Sequence, residues 1–231
     1  MPKPPLNRNE FAEVLHAKQE RYWHRHPFHS RLHEGTHGER EIRLWVANRW
    51  YYQQALPCKD AAILANCPLP EVRRQWVGRI IYQDGTGGEE GGLNAWLRLA
   101  EATGLSRAEV LDQRHVVPGV RFATDAYVAF ARTRPWIEAI ASSLTELFSA
   151  DLMRERVTAM RQHYPWIDTG GYAYFESRSA AAERDARVAL DLVLDHCRTR
   201  AEQDAAEQAL EFKCDVLWSI LDAVDQAASG G

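Results

Sequence analysis

Apolar residues along this chain recur at three- and four-residue spacing, as they do on helices that turn one face toward a core. Period-two alternation flanked by turn residues does not recur, so strands are not expected. The pattern predicts a first helix starting near Asn9 and carrying Phe11, Val14, Leu15, Lys18 and Tyr22 toward His26 and Pro27. A second runs from about Glu39 to Gln54 and stops before Pro57, because a proline ring and its missing N–H disfavour a helix interior. Further helices are expected over about 59–65, 71–83, 93–103, 119–133, 135–148, 151–163, 169–177, 181–197 and 200–227. The glycine-rich stretch from Asp84 to Gly92 reads as a loop, and Gly104 closes the helix before it. Ser106 with Glu109, and Thr199 with Glu202, have the spacing of capping boxes that satisfy free amides at a helix start. No repeat or composition shift divides the chain. The expectation is an all-α protein: one compact multi-helix bundle over residues 9–228, preceded by a flexible segment, 1–8.

Certain polar residues fall on the apolar faces of these helices. At 3.6 residues per turn, Ile42, Trp45 and Val46 share a stripe with Arg49, Tyr52 and Gln53, and Arg49 lies at its middle. Lys213 falls inside the face formed by Leu210, Cys214, Leu217, Ile220 and Leu221, and Arg156 shares a face with Leu152, Met153 and Met160. One such cation has ordinary explanations, a snorkelling side chain or an internal ion pair. Several on different helices point instead to a cavity that binds a small anion bearing several carboxylates or phosphates. Arginine suits that task because its planar fork grips a carboxylate with two hydrogen bonds. Pattern alone stops at a small polyanion and yields no reaction.

Composition narrows the field. The 231 residues are 45% hydrophobic and 26% charged, as in a globular protein. With 28 basic and 32 acidic residues the net charge is −4, which provides no field to recruit nucleic acid or an anionic membrane surface. No apolar run is long enough for a bilayer, and the N-terminus carries no signal-like segment. Cys58, Cys67, Cys197 and Cys214 form no CxxC pair, so reduced thiols in the cytoplasm are expected. The 84–92 loop lacks GxxxxGK[ST] and carries three acidic residues, which argues against a phosphate cradle. Glu13 with His16, and Glu34 with His37, have the E-x-x-H spacing of di-iron bundles, but a convincing second carboxylate pair is missing and no metal is expected. No GxSxG motif supports hydrolase chemistry.

Longer motifs are more specific. Arg25-His-Pro-Phe-His29, Trp45-Val-Ala-Asn-Arg-Trp-Tyr-Tyr-Gln53, Lys59-Asp-Ala-Ala62 and Pro118-Gly-Val-Arg-Phe-Ala123 occur in order. They are followed by Asp125-Ala-Tyr127, Ser142-Ser-Leu-Thr-Glu-Leu-Phe148, His163-Tyr-Pro-Trp166, Tyr174-Phe-Glu-Ser-Arg178 and Phe212-Lys-Cys-Asp-Val-Leu-Trp218. In these motifs, from about Phe11 to Val224, the chain resembles the pyrroloquinoline-quinone synthase (PqqC) family, relatives of the TenA and haem-oxygenase-like helical proteins. The resemblance implies a homodimer of helical bundles, each enclosing a site where a bicyclic tricarboxylate quinol precursor is ring-closed and oxidised. Molecular oxygen is the co-substrate, hydrogen peroxide is released, and no cofactor takes part. Carried over by motif, substrate contacts are expected from Arg49, Tyr52, Gln53, Lys59, Arg79, Tyr127, Thr145, Glu146 and Arg156. Catalytic roles fall to Tyr174, Arg178 and Lys213, with Tyr174 and Arg178 one turn apart and placed to close over the quinone.

Three positions depart from the family pattern. Trp23 stands where a histidine follows the tyrosine, with His24 one place later, and Met153 replaces a histidine three residues before Arg156. Gln83 replaces the histidine of a His-Asp-Gly sequence, and it can hydrogen-bond but not titrate. Gln83 is expected one turn beyond Arg79, facing the same cavity, with His24 as a candidate substitute for proton transfer. Two readings follow: an active synthase, or a binding protein of the same fold that holds precursor or product and oxidises it poorly.

Overall fold

The computed structural model describes residues 3–230, apart from the side chain of Ala180. Twelve α-helices follow one another, and no strand occurs among the described residues. The first six are α1 (Arg8–Ala17), α2 (Pro27–Glu34), α3 (Glu39–Asn66), α4 (Pro70–Trp76), α5 (Gly78–Asp84) and α6 (Gly92–Ala102). The rest are α7 (Arg107–Leu111), α8 (Pro118–Thr133), α9 (Trp136–Ala141), α10 (Ala150–His163), α11 (Ala173–His196) and α12 (Arg200–Ser229). The all-α expectation therefore holds. Of the eight N-terminal residues expected to be flexible, Met1 and Pro2 lie outside the described residues. Leu6 exchanges two hydrogen bonds with Gln203, of 2.8 and 3.0 Å, and Asn7 caps α1.

The long helices α3 and α12 form the axis of the bundle. Helix α3 packs on α5, α6, α8 and α12, and α12 packs on α8, α9 and the segment Ser142–Phe148. Helices α10 and α11 pair with each other and close the remaining side, with α2 against α10. One core runs through the bundle, and Trp23, Trp45, Trp76 and Trp96 are all among its fully buried side chains. Aromatic rings of this size each bury roughly 150–250 Å² and supply a rigid frame. The capping boxes at Ser106 and Thr199 form as their sequence spacing implies.

Several boundaries differ from the periodic pattern. Helix α3 does not stop before Pro57 but runs through it to Asn66, absorbing the predicted helix at 59–65. Proline inside a helix costs about 3 kcal/mol. Here the turns beyond it bury Lys59, Asp60 and Ile63, so tertiary packing outweighs the local penalty. The first helix, by contrast, ends at Ala17, and 3₁₀ turns cover Lys18–Arg21 and Trp23–Arg25. Tyr22 is extended at φ −73°, ψ 143°, which turns its ring into the core while Lys18 is drawn to Glu207 and Glu211 on α12. The predicted 71–83 helix breaks at Val77, next to Gly78, a poor helix former. The 135–148 helix tightens into a 3₁₀ segment from Ser142. Conversely, the predicted 169–177 and 181–197 helices form a single helix, α11, preceded by a 3₁₀ turn. Helix α2 had no counterpart in the periodic reading; His26 caps it and Pro27 begins it.

Candidate active site

A narrow cavity of about 60 Å³ opens between α3, α8, α12, the 142–148 segment and the start of α11. Tyr22, Trp23, Arg49, Tyr52, Lys59, Tyr127, Thr145, Glu146, Met153, Tyr174, Arg178 and Lys213 are among the residues that line it. The 3₁₀ geometry of the 142–148 segment helps explain the choice. With three residues per turn, Ser143, Glu146 and Ser149 stack on one line, and all three face the cavity.

Along one wall every cation has a carboxylate. Lys59 Nζ lies 2.6 Å from Asp60 Oδ1 and 3.0 Å from Ser143 Oγ, and the Trp76 indole N–H donates to the same Asp60 oxygen at 2.8 Å. Arg79 grips Glu146 with two hydrogen bonds, one of 2.8 Å. Arg178 donates to Glu146 Oε1 at 2.5 Å and to Asp185 Oδ2 at 2.9 Å. Burial alone would push the Glu146 carboxyl up, but the charges of Arg79 and Arg178 outweigh it and hold the group at about 2. Burial works against the charge on Lys59, Arg79 and Arg178, yet their carboxylate neighbours raise all three above their ordinary values.

A second group of cations lacks carboxylates. No Asp or Glu lies within 4 Å of the charged atoms of Arg49, Arg156 or Lys213 among the described residues. The Arg49 guanidinium sits between the Trp23 ring, at 4.3 Å, and the Tyr52 ring, at 4.2 Å, with Nη1 unbonded. Lys213 Nζ bonds the Tyr52 hydroxyl at 2.5 Å and lies 3.3 Å from the centre of the Tyr127 ring. Arg156, 2% exposed, touches the rings of Trp45 and Phe175 and bonds His29, leaving Nε free. Burial, together with repulsion from Lys59 and Arg49, drives Lys213 well below its ordinary 10.5. Burial and the nearby Arg49 bring Arg156 down to about 10, and burial also lowers Arg49.

Not every residue expected at the site reaches it. Gln53 is fully buried and meets the cavity only through Tyr174, whose hydroxyl lies 2.8 and 3.1 Å from its amide atoms. Arg156 stands behind the wall, on the same helix as Met153, which does line the cavity. His24 does not line it; burial and Arg25 lower its imidazole, and its ring centre lies 5.7 Å from that of Tyr22. Gln83 and Arg79 do share a space, but it is a smaller void of about 20 Å³ that adjoins the main cavity, with Lys59, Glu146 and Arg178 lining both. The expectation that Gln83 faces the main cavity is corrected accordingly. The break at Val77 starts a new helix, on which both side chains are buried. The Gln83 amide oxygen is buried there without a partner. Gly85, at φ +82°, and Gly91 bring the following loop against the end of α5; a Cβ on Gly91 would lie 2.3 Å from the Gln83 carbonyl oxygen.

Sequence periodicity missed the counter-ions. Asp60 adjoins Lys59 but was given no role, and Asp185 follows Arg178 by two turns on a helix expected to divide between them. Among the described residues, no group of three or more His, Cys, Asp or Glu is placed to hold a metal ion, and no helix is long and apolar enough to cross a membrane.

A family model described as TENA/THI-4/PQQC matches residues 13–223. The chain belongs to the TENA/THI-4/PQQC family. Within it, the chain is 52% identical to a protein named pyrroloquinoline-quinone synthase from Pseudomonas aeruginosa, over 98% of this chain and 91% of that protein. A protein of the same name from Ectopseudomonas mendocina is 54% identical, with 94% and 87% covered. Among solved structures, a heme oxygenase-like domain of unknown function from Shewanella denitrificans superposes with a TM-score of 0.80 at 12% identity, over 97% of this chain and 94% of that one. A TenA homologue from P. horikoshii gives 0.72 at 14% identity, over 96% and 99%. At such low identity these two structures establish the fold and nothing finer.

Proposed function

We propose that this member of the family completes pyrroloquinoline quinone. It closes a ring on a bicyclic tricarboxylate quinol precursor and oxidises it in several steps with molecular oxygen, releasing hydrogen peroxide. The observation that carries the reading is the charge ledger of the cavity. Lys59, Arg79 and Arg178 are matched by Asp60, Glu146 and Asp185, whereas Arg49, Arg156 and Lys213 are unmatched. Arg49 and Lys213 face the cavity and Arg156 adds positive charge from behind its wall, a set that suits a ligand with several carboxylates. The 50–54% identity to proteins named for this synthesis supports the same reading.

In this proposal the substrate supplies the charges the unmatched wall lacks, and stacking against Tyr52, Tyr127 and Trp23 orients its flat rings. Lys213 and Tyr52 form the proton-handling pair. Burial loosens the hold of Lys213 on its proton, so the side chain can give and take a proton at the substrate, and the 2.5 Å bond passes charge changes to the Tyr52 hydroxyl. Tyr174, held by Gln53, and Arg178, held by Glu146 and Asp185, cover the reacting ring from α11. Gln83 takes no proton in this scheme; it lines the void behind Glu146 and Arg178. The reading includes no metal or flavin, a cytoplasmic location, and a homodimer of domains spanning residues 9–228.

The test is to incubate metal-stripped protein with precursor in the presence and absence of oxygen, following quinone absorbance and peroxide. Turnover that survives chelation and requires oxygen is expected. Tight binding of product without turnover supports the second reading, a binding protein of the same fold, which the loss of a titratable side chain at Gln83 favours. Activity that follows added iron contradicts both.

A further inference from the structure

His29 belongs to the Arg25-His-Pro-Phe-His29 motif yet lies outside the cavity lining, fully buried on α2. Its two ring nitrogens make two different bonds. Nδ1 is 3.0 Å from the backbone carbonyl of Trp23, and Nε2 is 3.1 Å from Arg156 Nη2. A carbonyl only accepts and a guanidinium only donates. Both bonds are satisfied by one species alone, the neutral imidazole with its proton on Nδ1. An imidazolium would turn Nε2–H against the Arg156 N–H and place two cations in contact.

The His29 ring also meets the Trp23 indole edge to face, with centres 4.8 Å apart, and Arg49 lies over that same indole at 4.3 Å. One imidazole therefore touches the supports of both unmatched arginines. We propose that His29 is a positioning residue that holds Arg156 directly and Arg49 through Trp23, setting the spacing between the two guanidinium groups. The proposal rests on the reading of those arginines as carboxylate-binding. The charged and titratable groups around His29 are Arg156 from α10, Arg49 from α3 and His33 one turn along α2, whose ring is stacked at 6.4 Å. Burial, and then Arg156, hold His29 well below its ordinary 6.5, in keeping with the neutral species that the two bonds require. Neither arginine has an anionic partner to fix its rotamer, and arginine loses considerable side-chain freedom when ordered. A neutral acceptor orients a guanidinium without cancelling the charge that the ligand needs, which an aspartate or glutamate in the same place would do.

Two arms test this. In ligand-free protein, ¹⁵N-histidine NMR should show His29 as the neutral Nδ1–H form from about pH 6 to 8, across the ordinary titration range, with a through-hydrogen-bond coupling from Nε2 to Arg156. A protonated ring or the Nε2–H form overturns the proposal whether or not any ligand binds. In the second arm the probe is pyrroloquinoline quinone. His29→Leu should weaken its binding by about tenfold or more, the size of a lost charged hydrogen bond. His29→Gln, which can return an acceptor to Arg156, should recover most of that loss. Adding Arg156→Ala to His29→Leu should cost little more than Arg156→Ala alone. Full additivity of the two losses, or unchanged affinity in a folded His29→Leu variant, overturns the positioning role. Failure of the wild type to bind the quinone refutes the proposed function instead and leaves the NMR arm to decide His29.

Discussion

On one side of the cavity Lys59, Arg79 and Arg178 each lie within hydrogen-bond distance of a carboxylate. On the other, Arg49, Arg156 and Lys213 have only aromatic rings, a hydroxyl and an imidazole. Both sets are removed from water, and removing a charge from water costs several kcal/mol. The first wall offsets that cost within the protein, so it is finished before any ligand arrives. The second offsets it only in part, through cation–π contacts, and stays poised for an anion. The difference teaches that buried positive charge is not by itself a binding signal. What distinguishes a structural cation from a ligand-binding one is whether the chain supplies its counter-charge.

The two walls should therefore respond to substitution in opposite ways. Glu146→Gln strips the shared carboxylate from Arg79 and Arg178 and should destabilise the fold by about 3–5 kcal/mol, measured by urea unfolding. A loss below about 1 kcal/mol, the level of an exposed pair, would erase the distinction between the walls. The same carboxyl makes stability depend on pH. Its folded value, about 2, lies below the ordinary 4.5, so its contribution is complete above 4.5 and fades as the pH falls toward 2. Glu146→Gln should flatten that part of the acid profile.

Arg49→Ala should leave the fold intact and weaken binding of pyrroloquinoline quinone about tenfold or more, because the residue meets no carboxylate in the free protein. Calorimetry offers a finer probe. Lys213 is depressed by burial and by its cationic neighbours, and a bound carboxylate restores its affinity for protons. Near pH 9, below the ordinary lysine value of 10.5, quinone binding should take up a proton, read from the buffer dependence of the binding heat. Release of a proton would contradict the proposed state of Lys213. The smallest effect is expected from Tyr52→Phe, which removes one hydrogen bond to Lys213 but keeps the ring under Arg49. A loss of about 1 kcal/mol in stability, that of one hydrogen bond, is expected with the contact of Arg49 to its ring preserved.

Much of this comparison was legible before the structure. Periodicity alone placed Arg49, Arg156 and Lys213 on apolar faces, and all three are buried in the bundle. The positions of the helices were also legible, because amphipathic spacing records which face is buried. What periodicity could not show was pairing. Asp60, Asp185 and Glu146 meet their cations through helix continuity past Pro57, through an undivided α11 and through a 3₁₀ segment, all set by tertiary packing rather than by local preference. Gln83 shows the same limit. It lies one turn from Arg79 on α5, yet both residues line the smaller void beside the cavity rather than the cavity itself.

Lys213→Met is the most direct test of whether the second wall is built for an anion. Methionine keeps much of the shape and removes the charge, so two quantities are read from one variant: urea unfolding of the free protein, and the affinity for pyrroloquinoline quinone. An unmatched buried charge that serves a ligand should be a burden without it, so the free variant is expected to be as stable as the wild type or more so, while quinone affinity falls about tenfold or more. A variant that unfolds more easily yet binds the quinone as well as before would show that Lys213 holds the fold together and leave the anion site without its central cation.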